Sequence, residues 1–414
     1  MITQKYGHYY VVIVYRDFSG KKKRKWYKVD GGHREAEKME RHLLTDRDDG
    51  VLLQASKDIP VLKEYLTDWL DTSIKPPARS LGTYENYKYC SNKVNAYLGS
   101  TRLDRLSPLQ ISKMYRKMMT DGLSASTVRM IHRMLRAALN KAVKWGTLTK
   151  NPATVADIPA MTESPAKAYD HDQALALLRQ SEQMDVRYNL IISLGMLCGL
   201  RSSESCGLRW QDYEKETGKL YIQHNLCRHD MEGINENAYE YCHKSGNTWY
   251  VLDKVKTKAS EATIRLPEYV GDLLNKRKLQ YDTFHLKLGP VYHDDNFILS
   301  NDVGDPYDNH YIYYVVHKVI EEYNISHPND PLPIIRAHDL RHTAATLLLE
   351  SDINIKYVSR QLRHSSTTIT QNLYQHVTDK MASITADAMD NLVRSKSDNS
   401  STPLSTPLVK NAHQ

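Results

Sequence analysis

The sequence predicts an α+β, multidomain protein. It has a small β-rich N-terminal module over residues 1–56, an all-α segment over 57–157, and a mixed, mainly helical unit with a small antiparallel sheet over 165–390. Three observations carry this reading. The run YYVVIVYRD is rich in β-branched and aromatic residues, and a Ser19-Gly20 turn signal and a basic cluster follow it. Successive stretches between residues 61 and 145 repeat apolar residues at helical spacing. Strand-like runs within 219–267 are then flanked by helical patterns on both sides. A chain of 414 residues is long enough for several hydrophobic cores.

In the first module, two strands would be joined by the basic turn Lys21, Lys22, Lys23, Arg24 and Lys25, with Trp26 and Tyr27 next. A third element fits Lys25 to Val29. A helix fits Arg34 to Leu44, with Ala36, Met39 and Leu43 on one side. A charge run at a hairpin tip is usually solvated surface; beside aromatics it also suits a strand pair lying in a nucleic-acid groove. The all-α segment holds an amphipathic stretch of Val61, Leu62, Tyr65, Leu66, Trp69 and Leu70, then a helix from Tyr84 to Leu98 ended by Gly99. Ser107-Pro108 is an N-cap with proline at the first helical position, opening a helix through Met119. The fourth helix, Thr127 to Trp145, buries Val128, Ile131, Leu135, Ala138, Leu139 and Ala142. Arg129, Arg133 and Arg136 fall on another face, which reads equally as a solvated basic face or a phosphate-tracking stripe.

Residues 153–168 read as a linker. Helices follow at Asp170 to Gln180 and Tyr188 to Cys198, the second capped by Gly199. In GLRSSESCGLRWQDY, Ser202 or Ser203 can cap a short helix with Glu204 in its first turn, Arg201 sits at the bend before it, and Trp210 belongs to the core. Strands fit Lys219 to Asn225, Thr248 to Leu252 and Glu261 to Pro267, with Arg228 to Gly246 an enlarged polar loop. Helices at Tyr269 to Tyr281 and Tyr307 to Tyr323 enclose a short strand within Pro290 to Leu299. A helix carrying Ala344, Ala345, Leu347 and Leu348 and a second at Ile355 to Leu362 complete the unit. The Ser-, Thr- and Pro-rich tail, 391–414, reads as disordered.

Net charge is +7 and the pI about 8.8, a balance that permits nucleic-acid binding. The five cysteines are scattered with no C-x-x-C pair, as reduced cytosolic thiols are. The start carries no signal-peptide apolar region, and the longest apolar run, near Leu190 to Leu200, is short of a membrane span, so the expected place is the cytoplasm. No G-x-x-x-x-G-K-[ST] phosphate loop occurs.

The densest chemistry lies between Arg336 and Val377. His338 and Arg341 are one helical turn apart, His364 follows a second helix, and Tyr374 stands ten positions later. A guanidinium fork fits two phosphate oxygens, an imidazole can donate or move a proton, and a phenol attacks phosphorus once its proton is removed. Together these suit phosphoryl transfer through a phosphotyrosine. Tyr374 is one of 28 tyrosines and stands out by its spacing from His364. His338 and His342 are an i, i+4 pair of the kind that binds zinc, but Asp339 stands where that motif needs glutamate. His338-Asp339 also echoes metal-dependent phosphohydrolases, without further ligands at suitable spacing.

G-L-R-x-x-E with L-R-W-x-D, then K-T-K-A-S, H-x-x-R, L-x-H-S-S and the spaced tyrosine resemble the tyrosine recombinases, the phage-type integrases. The resemblance implies an arm-type DNA-binding module at 1–56, a core-binding domain at 57–157 and a catalytic domain at 165–390. It implies catalytic Arg201, Lys256, His338, Arg341, His364 and Tyr374. Arg201 and Arg341 would hold the phosphate, Lys256 protonate the leaving oxygen, His338 assist proton movement and His364 donate to a phosphate oxygen. Lys258 stands as the alternative lysine. Partners would be double-stranded DNA attachment sites, a homotetramer on DNA, and accessory directionality or DNA-bending proteins, with no metal or nucleotide cofactor and no membrane. Met381 to Leu392 would be a docking helix for a neighbouring subunit. Relatives usually read L-G-H where this chain has Leu362-Arg363-His364, so Arg363 either adds a phosphate contact or faces solvent. A DNA-binding regulator that kept the fold and lost catalysis is the other function class; a relaxing topoisomerase shares the chemistry, but the arm-like module disfavours it.

Overall fold

The computed structural model describes residues 1–16, 22–48, 59–161, 168–229, 238–254, 261–351 and 353–363, without the side chains of 15, 16, 22, 23 and 46–48. The chain divides into two compact units, Met1–Ser164 and Pro165–Gln414. The architecture is mixed, with helices in the majority and small antiparallel sheets.

The first unit opens with β1 (Ile2–Lys5), β2 (His8–Arg16) and β3 (Lys22–Val29) in an antiparallel sheet of that order, followed by helix α1 (His33–Asp48). Val11, Ile13 and Val29 meet Ala36 and Leu43 of α1 in a small core. The basic run is strand, not turn: Lys22–Lys25 pair with Ile13–Arg16 of β2. The first hairpin went unread because its turn is Tyr6-Gly7, both at positive φ, and β1 itself is polar.

Helices α2 (Leu62–Ser73), α3 (Leu81–Leu98), α4 (Pro108–Thr120) and α5 (Ala125–Lys144) follow. Ser107 accepts from the Gln110 N–H and the Gln110 side chain accepts from the Ser107 N–H, a complete capping box that sets the start of α4. The α5 stripe is buried as its spacing predicts, with two additions, Met134 and His132. His132 lies 3.1 Å from the Tyr115 hydroxyl.

The second unit begins with α6 (His171–Glu182), capped by Asp170, and α7 (Val186–Met196), capped by Asp185. Then come the one-turn helix α8 (Ser202–Cys206) and strands β4 (Tyr213–Glu214), β5 (Lys219–Ile222), β6 (His224–His229), β7 (Cys242–Ser245), β8 (Thr248–Lys254) and β9 (Ala262–Arg265). They form two sheets, β4-β5-β9 and β6-β8-β7. The expected polar loop is therefore partly strand. Cys242–Ser245 has little strand propensity and is recruited by its pairing with β8. The segment with Lys256 and Lys258 joins two sheets: it leaves β8 at Lys254, paired with His224, and enters β9 at Ala262, paired with Ile222.

Helices α9 (Glu268–Leu288) and α10 (Asn309–Ser326) follow, and α9 runs a further two turns beyond its expected end. The strand expected within 290–299 reduces to an isolated bridge from Phe297 to Arg209. Helices α11 (Asp339–Glu350) and α12 (Ile355–Gln361) close the described part. The core gathers α7, where Leu190, Ile192 and Leu194 are buried, with Leu220, Leu252, Leu274, Val316 and Leu340. Trp210 lies at its edge, partly buried. No helix among the described residues is long and apolar enough to cross a membrane.

Candidate active site

Helix α7 has Leu197, not the expected Gly199, as its C-cap, and a left-handed glycine stands two residues farther on. Gly199 has φ +64, and a Cβ there would collide with Leu362, so the position admits little else. Its carbonyl is the hub of the site. It accepts from Arg341 Nη1, on α11, and from Arg363 Nη2 at 3.1 Å, just past α12. Arg341 Nη2 donates to the Leu362 carbonyl. Arg201 Nη2 donates at 3.3 Å to the next carbonyl, that of Arg363. Two guanidiniums from separate segments thus grip consecutive peptides of the turn that precedes His364.

Arg201, not a serine, occupies the N-cap of α8, with extended backbone (φ −75, ψ 151). Glu204 causes this: its carboxylate reaches back to the Arg201 N–H at 2.9 Å, and it also accepts from Arg201 Nη1. Glu204 is 1% exposed. Burial raises its carboxyl pKa, but the Arg363 guanidinium, the Arg201 backbone N–H and the Arg201 guanidinium outweigh burial and hold it below the usual range.

The two arginines expected to hold phosphate have different surroundings. The Arg201 side chain keeps about a third of its surface open (33%), whereas Arg341 is 2% exposed and serves carbonyls. Burial presses the Arg341 pKa downward, Arg201 and Arg363 add to this, and Glu204 opposes them. His338 stands at the N-cap position of α11 without a side-chain capping bond, and the residue is exposed. Partial desolvation, then His342, Arg341 and Arg201, lower its pKa to about 4, below the ordinary histidine range, which favours the neutral ring at pH 7. These influences place Arg201, His338 and Arg341 in one cluster.

The residues near His338 take protein partners. Asp339 receives Arg336 Nε at 3.0 Å, Nη2 at 2.8 Å and the Arg336 N–H at 2.8 Å. The His338 and His342 rings meet edge to face, with centroids 4.9 Å apart. Among the described residues, the metal-ligating side chains that do converge are Cys227, His229 and Asp253, whose ligand atoms lie within 4.8 Å of one another.

Arg363 is the residue that sequence reasoning misplaced. It neither faces solvent nor is open to a phosphate: it is 2% exposed and paired with Glu204 at 2.7 Å. A polar side chain next to a histidine carries no signal of its direction; the departure from L-G-H was the only hint. Lys256, Lys258, His364 and Tyr374 lie outside the described residues, as do Lys21, 381–392 and 391–414. Of the other basic candidates, Arg24, Arg133 and Arg136 are exposed. Lys25 lies 5.1 Å over the Tyr27 ring, and Arg129 Nη1 donates to the Pro159 carbonyl at 2.9 Å.

The phage integrase family profile matches residues 167–381, and that of the phage integrase SAM-like domain matches 63–158. The chain is 25% identical over 342 residues to a protein named tyrosine recombinase XerC-like from Caldanaerobacter subterraneus subsp. tengcongensis, covering 80% of this chain and 83% of the relative. It is 26% identical over 386 residues to an integrase of Saccharopolyspora erythraea, covering 83% and 85%. Its fold is similar to that of the Tn1549 transposon integrase solved with transposon right end DNA: TM-score 0.64, 21% identity, 80% of this chain and 99% of that one. It is also similar to a lambda integrase tetramer bound to a Holliday junction: TM-score 0.53, 18% identity, 89% and 92%. With the arginine-glutamate-histidine cluster held between α7, α8 and α11, the chain belongs to the phage integrase family, the tyrosine recombinases, and is a site-specific recombinase of mobile elements.

Proposed function

We propose that the protein cuts and rejoins double-stranded DNA at attachment sites, to integrate and excise a mobile element or prophage, through a 3′-phosphotyrosyl intermediate. The Tyr374 oxygen attacks the scissile phosphorus, its proton leaving with assistance from His338. The bond from phosphorus to the 5′-oxygen breaks, and Lys256 gives that oxygen a proton. Arg201 and Arg341 stabilise the charge on the non-bridging oxygens, and His364 donates to one of them. A partner strand's 5′-hydroxyl then attacks the phosphotyrosine and returns the phenol. One ester replaces another, so neither a nucleotide nor a metal is required.

The observation that carries this reading is the cluster in which Arg341 is held by the Gly199 carbonyl and Arg201 by the Glu204 carboxylate, with both guanidiniums close enough to His338 to depress its pKa. Fixed donors aimed at developing charge are commonly worth roughly 3–4 kcal/mol each. The working form is a homotetramer on two DNA sites in the bacterial cytoplasm, associated with the nucleoid and assisted by directionality or DNA-bending proteins; the lambda tetramer on its junction supports this assembly.

A nicked duplex bearing the element's end sequence tests the reading. The nick lets the leaving strand diffuse away and traps the adduct. Wild type should become covalently attached, Tyr374→Phe should not, and chelator should change neither. Binding without attachment would make the protein a regulator.

A further inference from the structure

We infer that Arg363 is a positioning residue, which shares the Glu204 carboxylate with Arg201 and so leaves Arg201 with uncompensated charge for the scissile phosphate. This rests on the strand-transfer reading and adds a residue outside its catalytic set.

Arg363 stands where two unfavourable features coincide. Its φ is +55, in the left-handed region where glycine is at ease. Its guanidinium is buried, which is costly for a charge unless it is paired and hydrogen-bonded, and its Nε has no acceptor among the described residues. The groups that offset this all belong to the site. Nη2 donates to Glu204 Oε2 at 2.7 Å and to the Gly199 carbonyl at 3.1 Å, and Nη1 to the Gln361 carbonyl at 2.9 Å.

The arrangement divides one negative charge between two cations. Glu204 Oε1 accepts from Arg201 Nη1, while Oε2 accepts from the Arg201 N–H and from Arg363. With Arg363 present, Arg201 does not neutralise the carboxylate alone. The Arg363 carbonyl also holds Arg201 Nη2, so Arg363 restrains that guanidinium through two routes. A glycine at 363 would relax the backbone and keep the carbonyl. It would also leave a buried carboxylate with Arg201 as its single guanidinium partner, drawing that side chain inward.

The test uses the full-length chain and the nicked duplex, with adduct formation followed in single turnover at saturating DNA. Arg363→Gly should slow attachment about 10²-fold, as small misplacements of a catalytic group do, while DNA affinity changes less than about twofold. Adding Glu204→Gln, which removes the unshared charge, should recover most of the rate. On a duplex whose scissile phosphate is a neutral methylphosphonate, there is less charge for Arg201 to hold, and the gap between wild type and Arg363→Gly should close. Equal losses on both substrates mean that the residue acts only in folding and overturn the inference. So does Arg363→Gly attaching as fast as wild type, or no recovery with Glu204→Gln. If wild type itself forms no adduct, the strand-transfer reading has failed; if only the Arg363 pattern fails, that reading stands.

Discussion

In the unit Met1–Ser164 three candidate DNA-binding cations, Arg24, Arg133 and Arg136, are displayed, whereas in the unit Pro165–Gln414 two arginines of the site, Arg341 and Arg363, are caged. Arg24, Arg133 and Arg136 are exposed. Arg341 and Arg363 are each 2% exposed and bonded to carbonyls and a carboxylate from other segments. A displayed cation is solvated whatever its neighbours do, so it adds salt-screened attraction and little geometry. A caged one is desolvated, its partners set its direction to a fraction of an ångström, and each partner's loss is felt. The first kind suits grip on a polyanion, and the second suits fixing the backbone and side chains of a site in place.

The comparison is strained hardest at Gly199, which supplies the carbonyl shared by two caged arginines. Gly199→Ala adds left-handed strain and a clash with Leu362, together roughly 2–5 kcal/mol of lost stability. Gly218→Ala, at φ +63 with open space around it, should lose only about 1–2 kcal/mol. Urea unfolding of the two variants decides this, and equal losses would mean that the cage is loosely packed.

Acid should weaken the cage next. Glu204 and His338 both have folded pKa values below their ordinary ones, so the unfolded chain binds more protons than the native state. Their stabilisation is present above the unfolded values and lost as pH falls. For His338 the loss begins below about 6.5, and for Glu204 below about 4.3. Unfolding midpoints against pH should slope downward through both ranges. The pKa values of His342 and His132 are lowered in the same way and share the upper range, so His338→Asn should make that slope shallower without abolishing it and leave the lower range alone; an unchanged upper slope would remove His338 from the cluster.

The displayed cations should give the smallest change in folding. Arg133→Ala with Arg136→Ala should leave stability within about 0.5 kcal/mol while lowering the slope of log affinity against log salt by about 2. An unchanged slope would show the solvated face to be only that.

Much of the architecture was legible because it is local. The α5 stripe, the Ser107-Pro108 start and the left-handed turn at Gly199, though not its place as the cap of α7, follow from periodicity, capping chemistry and handedness, which act over a few residues. β7 was not legible and the strand at 290–299 was expected longer than it is, since pairing with a distant segment decides whether a stretch of chain forms a strand. The short helix after Gly199 was expected, but not that Arg201 would cap it, because that depends on which way the Glu204 carboxylate turns.

The same division holds at the site. Residue types and spacings carried the family resemblance, and the comparisons confirm the family. They could not say which arginine keeps an open edge and which is walled in. That depends on contacts such as Arg201 to the Arg363 carbonyl, 162 positions apart, and Arg363 to Glu204, 159 apart. A guanidinium is the same fork wherever it is written in a chain; whether it braces a carbonyl or waits for a phosphate is set by the groups that folding brings beside it.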